Sequence, residues 1–419
     1  MKKIICLALV CLMLCACGKE AAAPAQTEPA YEALQPTLSP TEPSDPEEIL
    51  AYRRDVVAAE MRRCMSTLWT PAEDITYLVS DNDPPEEAIT MVAGRIYQGL
   101  PYTHASSTVY NFLTYATSQD ENGVYTVTGM DATDLSGSVL SRQGCDCADT
   151  VFWAWAQISN SFTARYTAEM TESYGLVKVG DYACDFPKFY TTTTPICKEN
   201  GEDVMFAAYA QMQKGDALVL FTKSSGGHAV MAVDTYVVYT EDGKIDGENS
   251  FAVIIEQKSS TQRALESYYN EEIGQEVYIC GAVDSCWSFN TLFSKGYLPV
   301  TCKELVDPSP LTAQSVTFSD PDVRIEKLFM AKIESSHRVA SVTLTITQKG
   351  KEIQKATAYG TEDNYKEFSM LAFFDPLEKE VIQGSFDLEA LKPGDYHCTI
   401  TCRLATGHSF TAHEFDFSK

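Results

Sequence analysis

Positive charge is in short supply. Lysine and arginine number 32 against 58 aspartates and glutamates, a formal net charge of −26. That excludes nucleic acid and anionic lipid headgroups as partners held by charge. Beyond the first residues no run reaches the ~18 apolar residues of a transmembrane helix. Paired C-x-x-C and H-x-x-x-H spacings are missing despite 14 cysteines, so no metal site is expected, and nothing implies a cofactor. Histidine is scarce too, and His228 is the only one between His104 and His337. Apolar residues are not scarce. At 45% of 419 residues they suffice for sizeable cores in two folded domains and exclude a disordered chain.

The N-terminus reads as an address. Lys2 and Lys3 precede an apolar stretch over 4–14, and Leu14-Cys15-Ala16-Cys17 follows as a processing site. Residues 1–17 are thus expected to be a signal peptide. The Leu-Cys-Ala-Cys arrangement resembles a bacterial lipobox, which implies cleavage after Ala16 and lipid on the Cys17 thiol. Residues 18–47, rich in Pro, Ala, Thr and Glu, read as a flexible tether. The expected location is the extracytoplasmic face of a bacterial cell membrane, lipid-anchored, with simple secretion as the alternative. Ten cysteines remain: 64, 145, 147, 184, 197, 280, 286, 302, 398 and 402. An exported chain can pair them, but spacing does not give the connectivity.

After the tether, 46–67 has helical periodicity, with Ile49, Val56, Val57, Ala59 and Met61 on an apolar stripe and arginines opposite. A second helix is expected from Pro85 to Tyr97, stopped by Gly99-Leu100-Pro101. Asn111-Phe112-Leu113 is helical in character, and a turn at 120–123 precedes a strand at 124–127. A helix carrying Cys147 follows. Strands are expected over 217–221, 228–239, 251–256 and 277–282, then a short helix within 287–299 and a boundary at Pro308-Ser309-Pro310. Helix first and antiparallel sheet afterwards is an α+β arrangement over 48–306. Over 307–419, period-two runs at 338–348, 366–374, 384–388 and 396–404 suggest an all-β immunoglobulin-like sandwich, with Pro393-Gly394-Asp395-Tyr396 leading into a late strand. Cys398 and Cys402 share one strand face there and are read as buried, too far apart to bridge.

Gly144-Cys145-Asp146-Cys147 runs directly into an aromatic, helix-compatible segment, Val151-Phe152-Trp153-Ala154-Trp155. A thiol at a helix start meets backbone N–H groups and the positive end of the helix dipole, which favour thiolate and face any oxyanion. Cys147 is preferred to Cys145 as nucleophile because Asp146 can cap the helix and place Cys147 in its first turn. His228, after a glycine pair and before an apolar strand, is the expected general base; His104 competes. Glu256 and Gln257 end the next strand, and one of them should orient His228, Glu256 being favoured because a carboxylate also stabilises imidazolium. Tyr102 either meets the substrate or packs under the Cys147 helix. Trp153 and Trp155 cannot share a helix face, so one is core while the other, taken as Trp155, lines the cleft with Tyr102 and Asp146.

Four motifs in order resemble the NlpC-type cell-wall peptidases of the papain-like superfamily: Gly99-Leu100-Pro101-Tyr102, Asp146-Cys147-Ala148-Asp149, Lys214-Gly215-Asp216, and Gly227-His228-Ala229-Val230. The resemblance spans 99–257. It departs at Ala148-Asp149, where the family has Ser-Gly, and in roughly forty residues inserted between Tyr102 and Cys147. It implies a papain-like cysteine peptidase or amidase acting on peptidoglycan stem peptides. Two other readings stand beside it: a cell-surface binding lipoprotein that keeps the fold as a scaffold, which Asp149 beside the thiol would favour, and a transglutaminase-like acyl transferase.

Overall fold

The computed structural model describes residues 43–79, 87–128, 131–133, 139–141, 144–164, 166–184, 192–223, 226–259, 265–360, 366–374 and 383–419. The expected signal peptide, Cys17 and most of the tether lie outside them. The fold is mixed α and β with several sheets, mostly β.

Helix α1, Pro46–Ser66, starts where Asp45 accepts hydrogen bonds from the Glu47 and Glu48 N–H groups, with proline at the first position. The expected stripe is revised by the structure. Ala59 is exposed, whereas Arg53 and Arg54 are buried. Carbonyl acceptors explain this: Arg53 donates to Glu304 O, Asp307 O and Ser309 O, and Arg54 donates to Lys214 O, Leu305 O and the Asp216 carboxylate at 2.8 Å. Buried guanidinium is tolerated where such partners converge.

No helix forms over the described part of the segment from Pro85 to Tyr97. Ile89–Met91 and Ile96–Gln98 are strands: the first alternates in and out, the second buries both Ile96 and Tyr97, and a turn at 92–95 intervenes. Ile96–Gln98 enters a six-stranded mixed sheet with Leu68–Pro71, Tyr125–Val127, Ala116–Gln119, Gln275–Ile279 and Ser267–Asn270.

The sheet that positions the site is built from β1 (Leu176–Lys178), β2 (Ala217–Thr222), β3 (Gly226–Tyr236), β4 (Phe251–Gln257), β5 (Gly281–Ser288) and β6 (Leu298–Cys302), in the order β5-β4-β3-β2-β6-β1, every neighbour antiparallel. Ala229, Val230, Met231 and Ala232 are all fully buried, so β3 is covered on both faces, as its unbroken apolar run requires. Helix α2, Cys147–Trp155, and α1 pack against β3 and β4. The short helix expected after Trp287 is Phe289–Lys295, while Trp287 itself belongs to β5.

In the C-terminal part, β7 (Val339–Gln348), β8 (Lys351–Tyr359), β9 (Gln383–Ser385), β10 (Asp395–Leu404) and β11 (Ser409–Ser418) form a five-stranded sheet in the order β9-β8-β7-β10-β11. A three-stranded sheet of Val316–Phe318, Lys332–Ser335 and Glu367–Ser369 shares its core, in which Phe318, Ile333 and Phe368 meet Leu344, Ile346 and Ile400. Cys398 and Cys402 are buried in that core as free thiols. Tyr396 Oη donates to Lys392 O at 2.7 Å, pinning the turn that precedes β10.

Candidate functional site

Cys147 is the first residue of α2. Asp146 caps it, its Oδ1 accepting from Ala148 N–H at 2.8 Å and Asp149 N–H at 2.9 Å. That cap occupies two of the N–H groups at the helix start, so Asp146, expected among the substrate-binding residues, first of all builds the helix. Cys145 lies in the incoming loop, fully buried, its N–H on Pro101 O at 3.1 Å. Its thiol is pushed well up by burial. Only a glycine fits before it. Gly144 has φ +121°, and a Cβ there would stand 2.3 Å from Pro101 O.

This contact brings two of the sequence motifs together. The loop carrying Tyr102 is held by Trp69 Nε1 on Gly99 O at 2.8 Å, Gln257 Nε2 on Leu100 O at 2.6 Å and Thr103 N–H on Cys145 O. The Tyr102 hydroxyl thereby hydrogen-bonds the Cys147 thiol. Strand β3 supplies the other side, where the Ala229 N–H lowers the pKa of that thiol. Gly227 allows the close approach expected of it, since a Cβ there would overlap Thr167 Oγ1 at 1.9 Å.

His228, half-buried, places Nε2 3.1 Å from Glu256 Oε2. The registry explains the pairing: β3 and β4 run antiparallel with Val230 opposite Glu256, which sets the carboxylate beside the residue at the mouth of β3. Gln257 points the other way and is committed to Leu100 O, so Glu256 alone of the two touches His228. Lys258, which the sequence reading missed, donates to the other carboxylate oxygen, Glu256 Oε1, at 2.9 Å. Strand alternation was the available signal, because 256 and 258 share a face. Burial raises the Glu256 pKa, but the bonds from His228 and Lys258 outweigh it and hold the carboxyl below its ordinary 4.5. Trp287 stands beside His228 with ring centroids 6.4 Å apart, and Tyr297 packs against Trp287.

The thiol itself departs from expectation. Cys147 is 4% exposed. Burial, then the Asp146 carboxylate, pushes its pKa well above the usual thiol range, and the Ala229 N–H and Tyr102 hydroxyl offset this only in part. His104 is exposed on its loop and favours the ionised form of Asp146.

Trp155 does not line a cleft. Fully buried, it donates its indole N–H to Gly215 O at 2.8 Å and packs on Phe152 and Phe162. Trp153, on the other face of α2, is fully buried as well, its N–H on Ser106 O at 3.0 Å and its ring under the Arg338 guanidinium at 3.8 Å. Both faces are core because the C-terminal part covers the second, where Ala340 and Ala405 join Trp153 and Ala156 in one apolar cluster. Asp216 of the Lys-Gly-Asp motif is structural, ion-paired with Arg54.

Among the described residues Cys64, Cys145, Cys147, Cys197, Cys280, Cys302, Cys398 and Cys402 are free thiols. Among those residues no group of three or more His, Cys, Asp or Glu is placed to hold a metal ion, and no helix is long and apolar enough to cross a membrane. No family model matches the sequence, and no curated protein matches it. A solved structure, the tetra-tandem repeat in the extending region of a large adhesion protein, is 12% identical with a TM-score of 0.16. That match covers 49% of this chain and 41% of the other, less than half of its length. A likeness at that score carries no argument about fold or function.

Proposed function

We propose that this protein is a cysteine hydrolase of the papain-like, NlpC-type kind, carrying an immunoglobulin-like sandwich and cleaving peptide or amide bonds with Cys147 as nucleophile. The observation that carries the reading is the His228–Glu256 hydrogen bond at 3.1 Å, on the strand whose next residue, Ala229, favours the Cys147 thiolate through its N–H. With Nε2 held by Glu256, Nδ1 of His228 is the nitrogen left to take the thiol proton. Because burial keeps the resting thiol neutral, proton transfer accompanies attack instead of preceding it. Sulfur adds to the carbonyl carbon, and the Cys147 N–H and Tyr102 hydroxyl face the oxyanion. The imidazolium returns its proton to the leaving amine, and water, deprotonated by His228, releases the acid from the thioester. Glu256 steadies the imidazolium throughout.

The expected lipid on Cys17 and the tether would carry this site into the cell wall, where peptidoglycan stem peptides are the abundant amide. The binding-scaffold reading is favoured by one observation, the burial and raised pKa of the thiol. Digestion of purified stem peptides by the full chain decides between them. The hydrolase is expected to release new amino groups, and His228→Ala to slow release roughly a hundredfold or more. If the wild type releases none and iodoacetamide labelling of Cys147 ignores His228→Ala, the scaffold reading replaces it. Product that forms only with added amine would indicate transfer.

A further inference from the structure

Asp149 replaces the small residue expected two positions after the nucleophile, and its carboxylate is buried. Ser106 Oγ donates to Asp149 Oδ1 at 2.9 Å and accepts from Arg338 Nη2 at 3.0 Å. Ser106 holds a left-handed φ of +51°, uncommon for a residue with a side chain, and is 1% exposed. Its carbonyl takes the Trp153 indole N–H, and the next N–H, of Ser107, bonds Gly144 O at 2.7 Å. One strained serine thus ties the Tyr102 loop, the nucleophile loop and α2 to an arginine from outside the sheet that holds His228. Arg338 is 2% exposed and stacked on Trp153. Asn111 Nδ2, donating to Ala340 O at 3.0 Å, fixes the same face.

We propose that Arg338, reaching from the C-terminal sandwich, is a positioning residue for Cys147: through Ser106 it compensates the Asp149 carboxylate and fixes the helix that carries the thiol. The terminal sandwich is then a working part of the site and not a spacer. This deepens the hydrolase reading and rests on it for its consequence in catalysis, yet its test needs no turnover. The other groups that act on the thiol are Asp146 at the cap of its helix, Cys145 in the incoming loop, Tyr102 on the facing loop, His104 and His228 through Asp146, and Tyr297.

The experiment follows iodoacetamide labelling of Cys147 in the full chain, located by mass spectrometry, across pH. Below a thiol's pKa its labelling rate follows the thiolate fraction, tenfold per unit of pKa. Asp149→Asn, nearly isosteric, removes an anion and is expected to speed labelling about threefold or more. Arg338→Met removes the compensating cation and is expected to slow it by a similar factor. The double variant should return toward the wild type, and Arg338→Lys should keep most of the wild-type rate. A purely packing role predicts the opposite for Arg338→Met, since a loosened helix exposes the thiol and labels faster. That outcome, or no change in Asp149→Asn, overturns the proposal. Should Arg338→Met not fold, the Asp149→Asn rate alone decides. Failure of the hydrolase reading shows separately, as a wild-type rate indifferent to His228→Ala.

Discussion

At Glu256 two hydrogen-bonding partners, His228 and Lys258, meet one carboxylate whose side chain is 2% exposed. Both partners favour its ionised form, so the folded-state pKa lies below 4.5. The sign follows: this group stabilises the fold at pH above 4.5, and the contribution is lost as pH falls through the lowered folded value. Lys258→Met removes one of the two and should move the acid limb of Cys147 labelling to higher pH. Glu256→Gln keeps the shape but not the charge. Hydrolysis of stem peptides, followed as new amino groups released, is expected to fall roughly a hundredfold or more. The sequence left Glu256 and Gln257 open for a physical reason. Alternation sends them to opposite faces but does not say which face His228 occupies; that depends on the registry of β3 against β4.

Elements show the same division between local and tertiary information. The length of α1, the strand pattern of β2, β3 and β4, and the capped start of α2 were legible because apolar period and capping chemistry are local. The supposed helix after Pro85 was not, since a short apolar segment fits both periods and tertiary pairing, of Ile96–Gln98 with Leu68–Pro71 and Gln275–Ile279 and of Ile89–Met91 with Ile75–Tyr77, selects the strand. Arg53 and Arg54 of α1 were misplaced on the solvent side because their acceptors lie about 160 to 256 residues away. Arg54→Met would leave Asp216 as a buried unpaired carboxylate, and a loss of about 3 kcal/mol or more is expected in chemical denaturation. Adding Asp216→Asn should recover part of it. Asp45→Ala, which removes the α1 cap, should cost about 1 kcal/mol by the same measurement. A chain trimmed at the expected end of the tether, residue 47, would lose that cap.

At the scale of the whole molecule, the described residues from 43 to 419 belong to one compact unit. Pro308 to Pro310 reads as a break in the sequence, and no regular element forms there. Arg53 nevertheless grips it through Asp307 O and Ser309 O. Near this seam His337, 2% exposed, is pushed down to about 4 by burial and by Lys366. A neutral buried histidine of this kind favours the unfolded chain once acid can protonate it there. Stability should therefore decline as pH falls from 6.5 toward 4, by about 3 kcal/mol for this group. Thermal melts across that window test it, and His337→Gln should flatten the slope.

The covered face of α2 has a bearing on inheritance. A sandwich joined by an exposed linker can be exchanged like a cassette, with each half indifferent to the other's history. Here Trp153, Ser106 and Asp149 on one side answer Arg338, Ala340 and Ala405 on the other. A graft that moved either half alone would set a buried carboxylate and a bare indole against a stranger's surface, so the two halves must travel, and change, as a matched pair.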